Sequence, residues 1–381
     1  MLAEQDTFTN GGEPTNKTIK KDMTLLIDGP ASVKLISGRA ETFGFQIVDA
    51  HKIVIREGKR LPFTILENAM FEISLGKGAT ISEVEGTTIP HTWQTAITVL
   101  QEIKTKPALV MVVGGVDLGK SSFCTYLANR LVAEHCRVAV LDEDLGQSDI
   151  GPPCTVAYTT IAKPITDLFN LAPENVFFVG VTSPCDAPDK TVEAASKLAA
   201  NARENTDFVI VNTDGWILGE DAIAFKKHLT NALKPDVVFH IQHRGNSHQL
   251  FPAFAEPNDA FKVELVHAPP AIRERNQEER RSFRDQGFGR YLENARTKVF
   301  PLGHVIVDRE RGVAFFQGQE AKDLLVGLLD SQRRFLGIGV IRGFDHVHKA
   351  LKVYTRVEEK PAIIVLGKTQ LDENLHEFTI D

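Results

Sequence analysis

Cysteine is scarce in this 381-residue chain, which has only Cys124, Cys136, Cys154 and Cys185. Their spacings of 12, 18 and 31 residues contain no C-x-x-C pair, which argues against a zinc ribbon or a thioredoxin-type motif. Sparse, unpatterned cysteine fits a reducing compartment, and a cytoplasmic location is expected. No apolar run approaches the ~20 residues needed to cross a bilayer, so no membrane segment is expected. The first twenty residues, MLAEQDTFTNGGEPTNKTIK, have no apolar h-region and suggest a floppy polar tail rather than a signal peptide. Positive charge is lacking too. The formal net charge is −7, so nucleic-acid affinity would have to come from a local basic cluster.

What is present is the composition of a globular protein, 43% hydrophobic and 24% charged. The length predicts two or three domains. After the tail over 1–21, short runs rich in Val, Ile, Thr and Phe alternate with turn signals, predicting a small antiparallel β domain over 22–88. The segment HTWQTAITVLQEIKTKP then predicts an amphipathic helix. Beyond it the apolar strands ALVMVVGG, RVAVLD, VFFVG, DFVIVNTDG and DVVFHIQ alternate with helical stretches. Strands without polar alternation are buried on both faces, so a parallel α/β sheet is expected over 89–299. After about 300 come the strands KVFPLGHVIV and RGVAFFQG, an expected helix EAKDLLVGLLDS, and the strands of FLGIGVIRGFDHVHKALKVYTRV and PAIIVLG. These predict a second β-rich domain over 300–381. The expected fold class is thus a P-loop α/β sheet flanked by small N- and C-terminal β-rich domains.

The strongest motif follows the first apolar strand. Gly114, Gly115, Val116, Asp117, Leu118, Gly119, Lys120 and Ser121 spell G-x-x-x-x-G-K-S, and Ser122 begins a convincing helix. Strand, glycine loop and helix are the context a P-loop requires. The glycines let backbone N–H groups wrap an anion at a positive helix end. Lys120 would reach the β- and γ-phosphates of ATP or another nucleoside triphosphate, and Ser121 would hold Mg²⁺.

The next strand ends in Asp142-Glu143-Asp144, which places carboxylates at the sheet edge where open α/β sheets bind ligands. Positions 142 and 144 project to one side of an extended chain. One carboxylate could orient a Mg²⁺-bound water while the other takes a proton from an attacking hydroxyl. The spacing leaves either order open.

At this point the residues resemble a family. DEDLGQSDIGPP is similar to the D-x-D-x-G-Q signature of the polynucleotide 5′-hydroxyl kinases, a group that includes RNA-processing kinases and compact archaeal relatives. FFVGVTSP resembles that family's strand and T-S/T-P loop, VIVNTDGWILG its N-T-x-G-W segment, and RERNQEERRSFRDQGFGRYL (273–292) its arginine-rich lid helix. The resemblance covers most of the chain.

It implies ATP-dependent phosphorylation of a 5′-hydroxyl end on RNA, with DNA left open as a second acceptor. It implies Asp144 as the catalytic base, with Asp142 a supporting carboxylate near Mg²⁺. Trp216 is implied to stack on the terminal base, as suits a sequence-tolerant enzyme, with Gln147, Thr182 and Ser183 around the substrate. Arg280 and Arg284 match the lid's R-x-x-x-R; at i and i+4 they project together and would both reach the transferring phosphoryl group. Residues 271–300 carry eight Arg/Lys against five Asp/Glu, a local basic cluster. Gly287 and Gly289 weaken the lid helix by roughly 1 kcal/mol each, so its end is expected to break or move. The flanking β domains are expected to carry RNA-processing or repair partners.

Two positions depart from the family pattern. Cys185-Asp186-Ala187 stand where many relatives carry glycine, and Asp214 adds a carboxylate inside N-T-x-G-W. The competing reading is an ATP-bound scaffold of an RNA-processing complex. A base and an arginine lid, useless to a pure scaffold, argue against it. A GTPase-type switch lacks its N/T-K-x-D guanine-recognition segment.

Overall fold

The computed structural model describes residues 13–47, 51–244, 260–303, 306–308 and 321–378. They build three seven-stranded sheets. The first comprises β1 (Thr15–Ile19), β2 (Met23–Asp28), β3 (Ala31–Thr42), β4 (Phe45–Gln46), β5 (Lys52–Ile55), β6 (Arg60–Leu75) and β7 (Thr80–Glu85). Every pairing among these named strands is antiparallel. The long strand β6 pairs with β2 at its start, β1 at its end and β3 on its other side. Of the expected tail over 1–21, residues 1–12 lie outside the described residues and the remainder is corrected. Thr15–Ile19 is a strand because Ile19 is fully buried opposite Ala69, a hydrophobic anchor in an otherwise polar stretch.

The central unit holds α1 (His91–Glu102), β8 (Ala108–Val113), α2 (Lys120–Ala133), β9 (Val138–Asp142), β10 (Thr155–Ile161) and β11 (Asn175–Phe178). It continues through α3 (Pro188–Arg203), β12 (Phe208–Asn212), α4 (Glu220–Leu233), β13 (Val237–Gln242), β14 (Lys262–His267) and α5 (Gln277–Leu292). Strand order is β11-β10-β9-β12-β8-β13-β14. β9, β12, β8 and β13 are buried along nearly their whole length, as their unbroken apolar runs require.

The sheet is mixed, not wholly parallel. β10 runs antiparallel to both β9 and β11. The connection from β9 contains no α-helix, so the chain turns back beside β9 instead of crossing over. β11, from VFFVG, is therefore an edge strand with three half-buried residues. Its Phe178 packs with the C-terminal sheet.

That third sheet contains β15 (Arg296–Pro301), β16 (Ile306–Asp308), β17 (Leu324–Leu329), β18 (Phe335–Asp345), β19 (Ala350–Thr355), β20 (Ile363–Leu371) and β21 (Glu377–Phe378). Here the expected helix EAKDLLVGLLDS is overturned. Its apolar centre is β17, buried at every position between β18 and β20. A short continuous apolar run carries no period that separates strand from helix. Gly327 fits the strand because any Cβ there would come within 2.5 Å of the Phe178 ring. The expected strand RGVAFFQG lies outside the described residues.

α5 also differs from expectation. It runs unbroken through Gly287 and Gly289 to Leu292. A Cβ on Gly287 would meet the Pro153 ring at 2.8 Å, so the glycine permits close packing at that point. Phe288 and Leu292 are fully buried in the cluster shared with the C-terminal sheet. Burial of two large apolar side chains outweighs the propensity cost of two glycines. Among the described residues no helix is long and apolar enough to cross a membrane.

Candidate active site

The P-loop connects β8 to α2. Gly119 caps α2 at φ 88°, a left-handed conformation that favours glycine. Gly114 packs so closely on the Ile241 carbonyl that a Cβ would approach to 2.9 Å, and Leu118 is buried in the core. These residues shape the loop. Val116, Asp117, Gly119, Lys120, Ser121 and Ser122 line a cleft above it. The lining also includes Phe43, Arg56, Lys59 and Arg60 of the N-terminal domain, and Arg273, Arg275 and Arg280. Lys120 is buried, and its Nζ donates to the Gly115 carbonyl at 2.8 Å. Burial lowers its pKa, opposed by the charges of Asp144 and Asp214.

The acidic run is divided three ways. Asp142 is fully buried and lies outside the cleft lining. Its Oδ2 accepts from the Asp149 backbone N–H at 2.6 Å, and from Ser148 Oγ and the Ile150 N–H at 3.2 Å each. Its Oδ1 accepts from Asn212 Nδ2 at 2.9 Å. Burial first, then Asp149 and Asp144, push its pKa up to about 7. Asp142 therefore holds the following loop in shape, its carboxylate sequestered behind the cleft rather than lining it with Asp144. Its one link towards Ser121 is Asn212, whose Nδ2 also donates to Ser121 Oγ at 3.3 Å.

Asp144, half-buried, does line the cleft. Its Oδ1 accepts from the Gln147 and Gly146 N–H groups at 2.9 and 3.2 Å. Burial raises its pKa and Lys120 partly offsets this, leaving it above the ordinary carboxylate value. Gln147 lines the same cleft and donates from Nε2 to the Arg280 carbonyl at 2.9 Å, tying the loop to α5.

Glu143 points the other way, into a buried charge cluster. The Lys226 ammonium, with no exposed surface, bonds the Asp214 carboxylate and lies 3.7 Å from Glu143 Oε2. Burial depresses the Lys226 pKa, but Asp214 and Glu143 outweigh this and hold it above normal. Asp214 thus does not face an incoming strand. Its Oδ1 accepts from the Trp216 N–H at 2.6 Å, fixing the turn that carries the indole. The Trp216 ring stacks on Phe225, centroids 5.7 Å apart at 30°.

The lid arginines separate. Arg280 NH1 donates to Asp117 Oδ2 at 3.0 Å, and Arg275 pairs with Asp117 Oδ1 at 3.3 Å. Arg284 is not on the cleft lining; its Nε donates to Glu377 Oε2 at 2.7 Å. The expected joint reach of both arginines over the phosphate is therefore not what this structure holds. α5 thus meets two anchors, Asp117 in the P-loop and Glu377 in the C-terminal sheet. Thr182 Oγ1 also goes to Glu377, at 3.1 Å, and Ser183 Oγ lies 3.1 Å from Cys185 Sγ.

Arg56 escaped the sequence reading. It joins Asp149 at 2.5 Å and Asp167 at 2.8 Å, and stacks on Phe169 and the lid's Phe283 at 4.4 and 5.0 Å. The N-terminal sheet is thereby wired to the loop that Asp142 shapes. Lys226 and Glu377 were likewise missed, since no motif marks either of them, and Asn212, the first residue of N-T-x-G-W, was given no role of its own.

Comparison with known proteins places the chain in a family. Residues 114–294 match the family model described as the mRNA cleavage and polyadenylation factor CLP1 P-loop. The polyribonucleotide 5′-hydroxyl-kinase of Pyrococcus abyssi is 30% identical over 259 residues, 68% of this chain and 70% of that protein. Its counterpart in Pyrococcus horikoshii is 29% identical, covering 68% of each chain. Among solved structures, the Clp1p of a Clp1p–Pcf11p complex superposes with a TM-score of 0.73 at 15% identity, over 95% of this chain and 99% of that one. At that identity the likeness is one of fold.

Proposed function

The chain belongs to the polyribonucleotide 5′-hydroxyl-kinase family, and from that membership and the geometry of its cleft we propose that it phosphorylates the 5′-hydroxyl end of RNA at the expense of ATP. The observation that carries the reading is that Asp144 shares one cleft with Lys120, Ser121 and Arg280. Hydrolysis alone needs only a positioned water, whereas transfer to an alcohol needs a base beside the acceptor.

The donor's triphosphate would lie along the P-loop, with its nucleoside towards Phe43, Arg56 and Lys59 of the N-terminal sheet. Lys120, resting on a neutral carbonyl, would exchange that acceptor for phosphate oxygens, a stronger charge-assisted bond. The Ser121 hydroxyl, with Asp144 through water, suits Mg²⁺, which takes one or two protein ligands and keeps several waters. When bound, the ion supplies positive charge to the donor's phosphates.

Asp144 accepts the proton of the 5′-hydroxyl. That oxygen forms a bond to the γ-phosphorus while the bond from phosphorus to the departing diphosphate oxygen breaks. Lys120 and Arg280 neutralise the charge on the phosphoryl oxygens. Trp216 offers its ring to the terminal base, a contact available to every sequence, and DNA ends are a second acceptor.

The test is transfer from γ-labelled ATP to matched 5′-hydroxyl RNA and DNA oligonucleotides, with Asp144→Asn and Lys120→Ala alongside. Label transferred by the wild type and by neither variant is the expected result, and the ratio of label on RNA to label on DNA decides the acceptor class. ATP binding without transfer in the wild type would leave the scaffold reading standing instead.

A further inference from the structure

Two donors from separate elements converge on one carboxylate of the C-terminal sheet. Thr182 Oγ1, from the loop after β11, reaches Glu377 Oε1, and Arg284 Nε, from α5, reaches Oε2. Neither residue is buried completely: the Arg284 and Glu377 side chains retain 22% and 20% of their exposure. The clamp lies beside the reacting centre. A Cβ on Gly146 would stand 2.8 Å from the Thr182 carbonyl and 3.8 Å from Asp144 Oδ1.

A guanidinium and a hydroxyl converging on two oxygens of one anion form a pattern that accepts a phosphodiester as readily as a carboxylate. Fastening the C-terminal sheet does not require Glu377. The Lys368 N–H already donates to the Gly180 carbonyl at 2.7 Å, and Lys368 Nζ to the Asp186 carbonyl at 2.7 Å. Arg281 holds β21 by the Glu377 main-chain carbonyl rather than by its side chain.

We propose that Glu377 is an internal competitor of the acceptor strand: its carboxylate holds the place of a backbone phosphodiester near the 5′ end, and RNA must displace it to engage Arg284 and Thr182. The inference rests on the kinase reading for the identity of the strand, not for the competition itself. Glu377 thereby sets acceptor affinity while leaving the donor cleft untouched, since neither Glu377 nor Arg284 is among the residues lining that cleft.

The experiment measures binding of a 3′-fluorescein, 5′-hydroxyl RNA oligonucleotide to the full chain by anisotropy, across a salt series, with phosphoryl transfer assayed in parallel. Glu377→Gln should bind RNA roughly twofold to fivefold more tightly, the order expected when one partly exposed ion pair stops competing. The slope of log K against log salt should steepen by about 0.7, one more phosphate contact on a single strand. ATP affinity should not change. Glu377→Asp, too short to span both donors, should shift affinity the same way by less, and serves if the glutamine variant does not fold.

Equal or weaker RNA binding by these variants, with an unaltered salt slope, overturns the proposal. If the wild type transfers no phosphate but Glu377→Gln still tightens RNA binding, the kinase reading fails and the competitor stands. Transfer by the wild type without tightening in the variants gives the reverse.

Discussion

The carboxylate of Asp117, inside the phosphate-binding loop, accepts a hydrogen bond from Arg280 of the lid helix at 3.0 Å. The loop that receives the donor and the helix that covers it are thus already joined through the arginine that would stabilise the transferring group. Arg284, one turn further along, is held on Glu377 instead. The two arginines should therefore fail differently. Arg280→Ala is expected to lower kcat by roughly 10³-fold, as for a transition-state arginine, with little change in acceptor KM. Arg284→Ala should act chiefly on acceptor KM. Steady-state kinetics with each substrate varied in turn would separate them; equal losses of kcat would mean both reach the phosphoryl group.

Asp144 gives the pH dependence. Its folded-state pKa lies above the ordinary value of 3.8 because it is buried, and a base works only when deprotonated. Activity should therefore fall as pH drops through that raised value, so the acid limb of the kcat/KM profile, which reports the free enzyme, lies above 3.8. Asp144→Asn should abolish transfer by about 10²-fold or more while ATP still binds. Asp142→Asn should instead loosen residues 148–150, seen as faster hydrogen exchange there, because its oxygens serve that loop.

Lys226 stands between Glu143 and Asp214 with no solvent contact. Removing one member of a buried charge cluster strands the others without compensation. Lys226→Met should destabilise the central domain by ~3–5 kcal/mol, read from urea unfolding followed by tryptophan fluorescence. A double variant, Lys226→Met with Asp214→Asn, should recover part of that loss because one stranded charge is gone. Failure of the pair to recover anything would mean that packing, not charge, is at issue.

Much of this was visible in the chain itself. The P-loop is contiguous, and its strand, turn and helix are dictated by an apolar run, glycines of forced geometry and an amphipathic segment. The three-part sheet layout follows from textures of alternation that change at recognisable places. What escaped is of two kinds. β17 was mistaken for a helix because six buried residues in a row carry no period, and β10 was missed altogether, its direction set by a connection without a helix. Glu377, Arg56 and Lys226 act at a distance of tens to hundreds of residues from their partners. No local pattern marks Glu377 as the residue that meets Arg284, 93 positions away. Asp214 shows the reverse. In the motif it was only an added carboxylate departing from the family pattern, and its buried partner Lys226 reveals it as a fixed support.

That support leads to the last expectation. The Asp214 carboxylate holds the Trp216 N–H at 2.6 Å, and Phe225 backs one side of the indole. If the ring stacks on the terminal base, Trp216→Ala should raise acceptor KM or Kd by about 10–100-fold, corresponding to ~1–3 kcal/mol for one base stack. ATP binding should be unaffected. Asp214→Asn keeps an oxygen for the Trp216 N–H but removes the charge that Lys226 requires, so it should cost stability more than acceptor affinity. Phe225→Leu should loosen the indole without removing it, giving a smaller rise in KM. Parallel titrations with an oligonucleotide lacking the terminal base decide the matter. Wild type and Trp216→Ala should bind that abasic end about equally, and a persisting difference would place the tryptophan against the sugar or phosphate rather than the base.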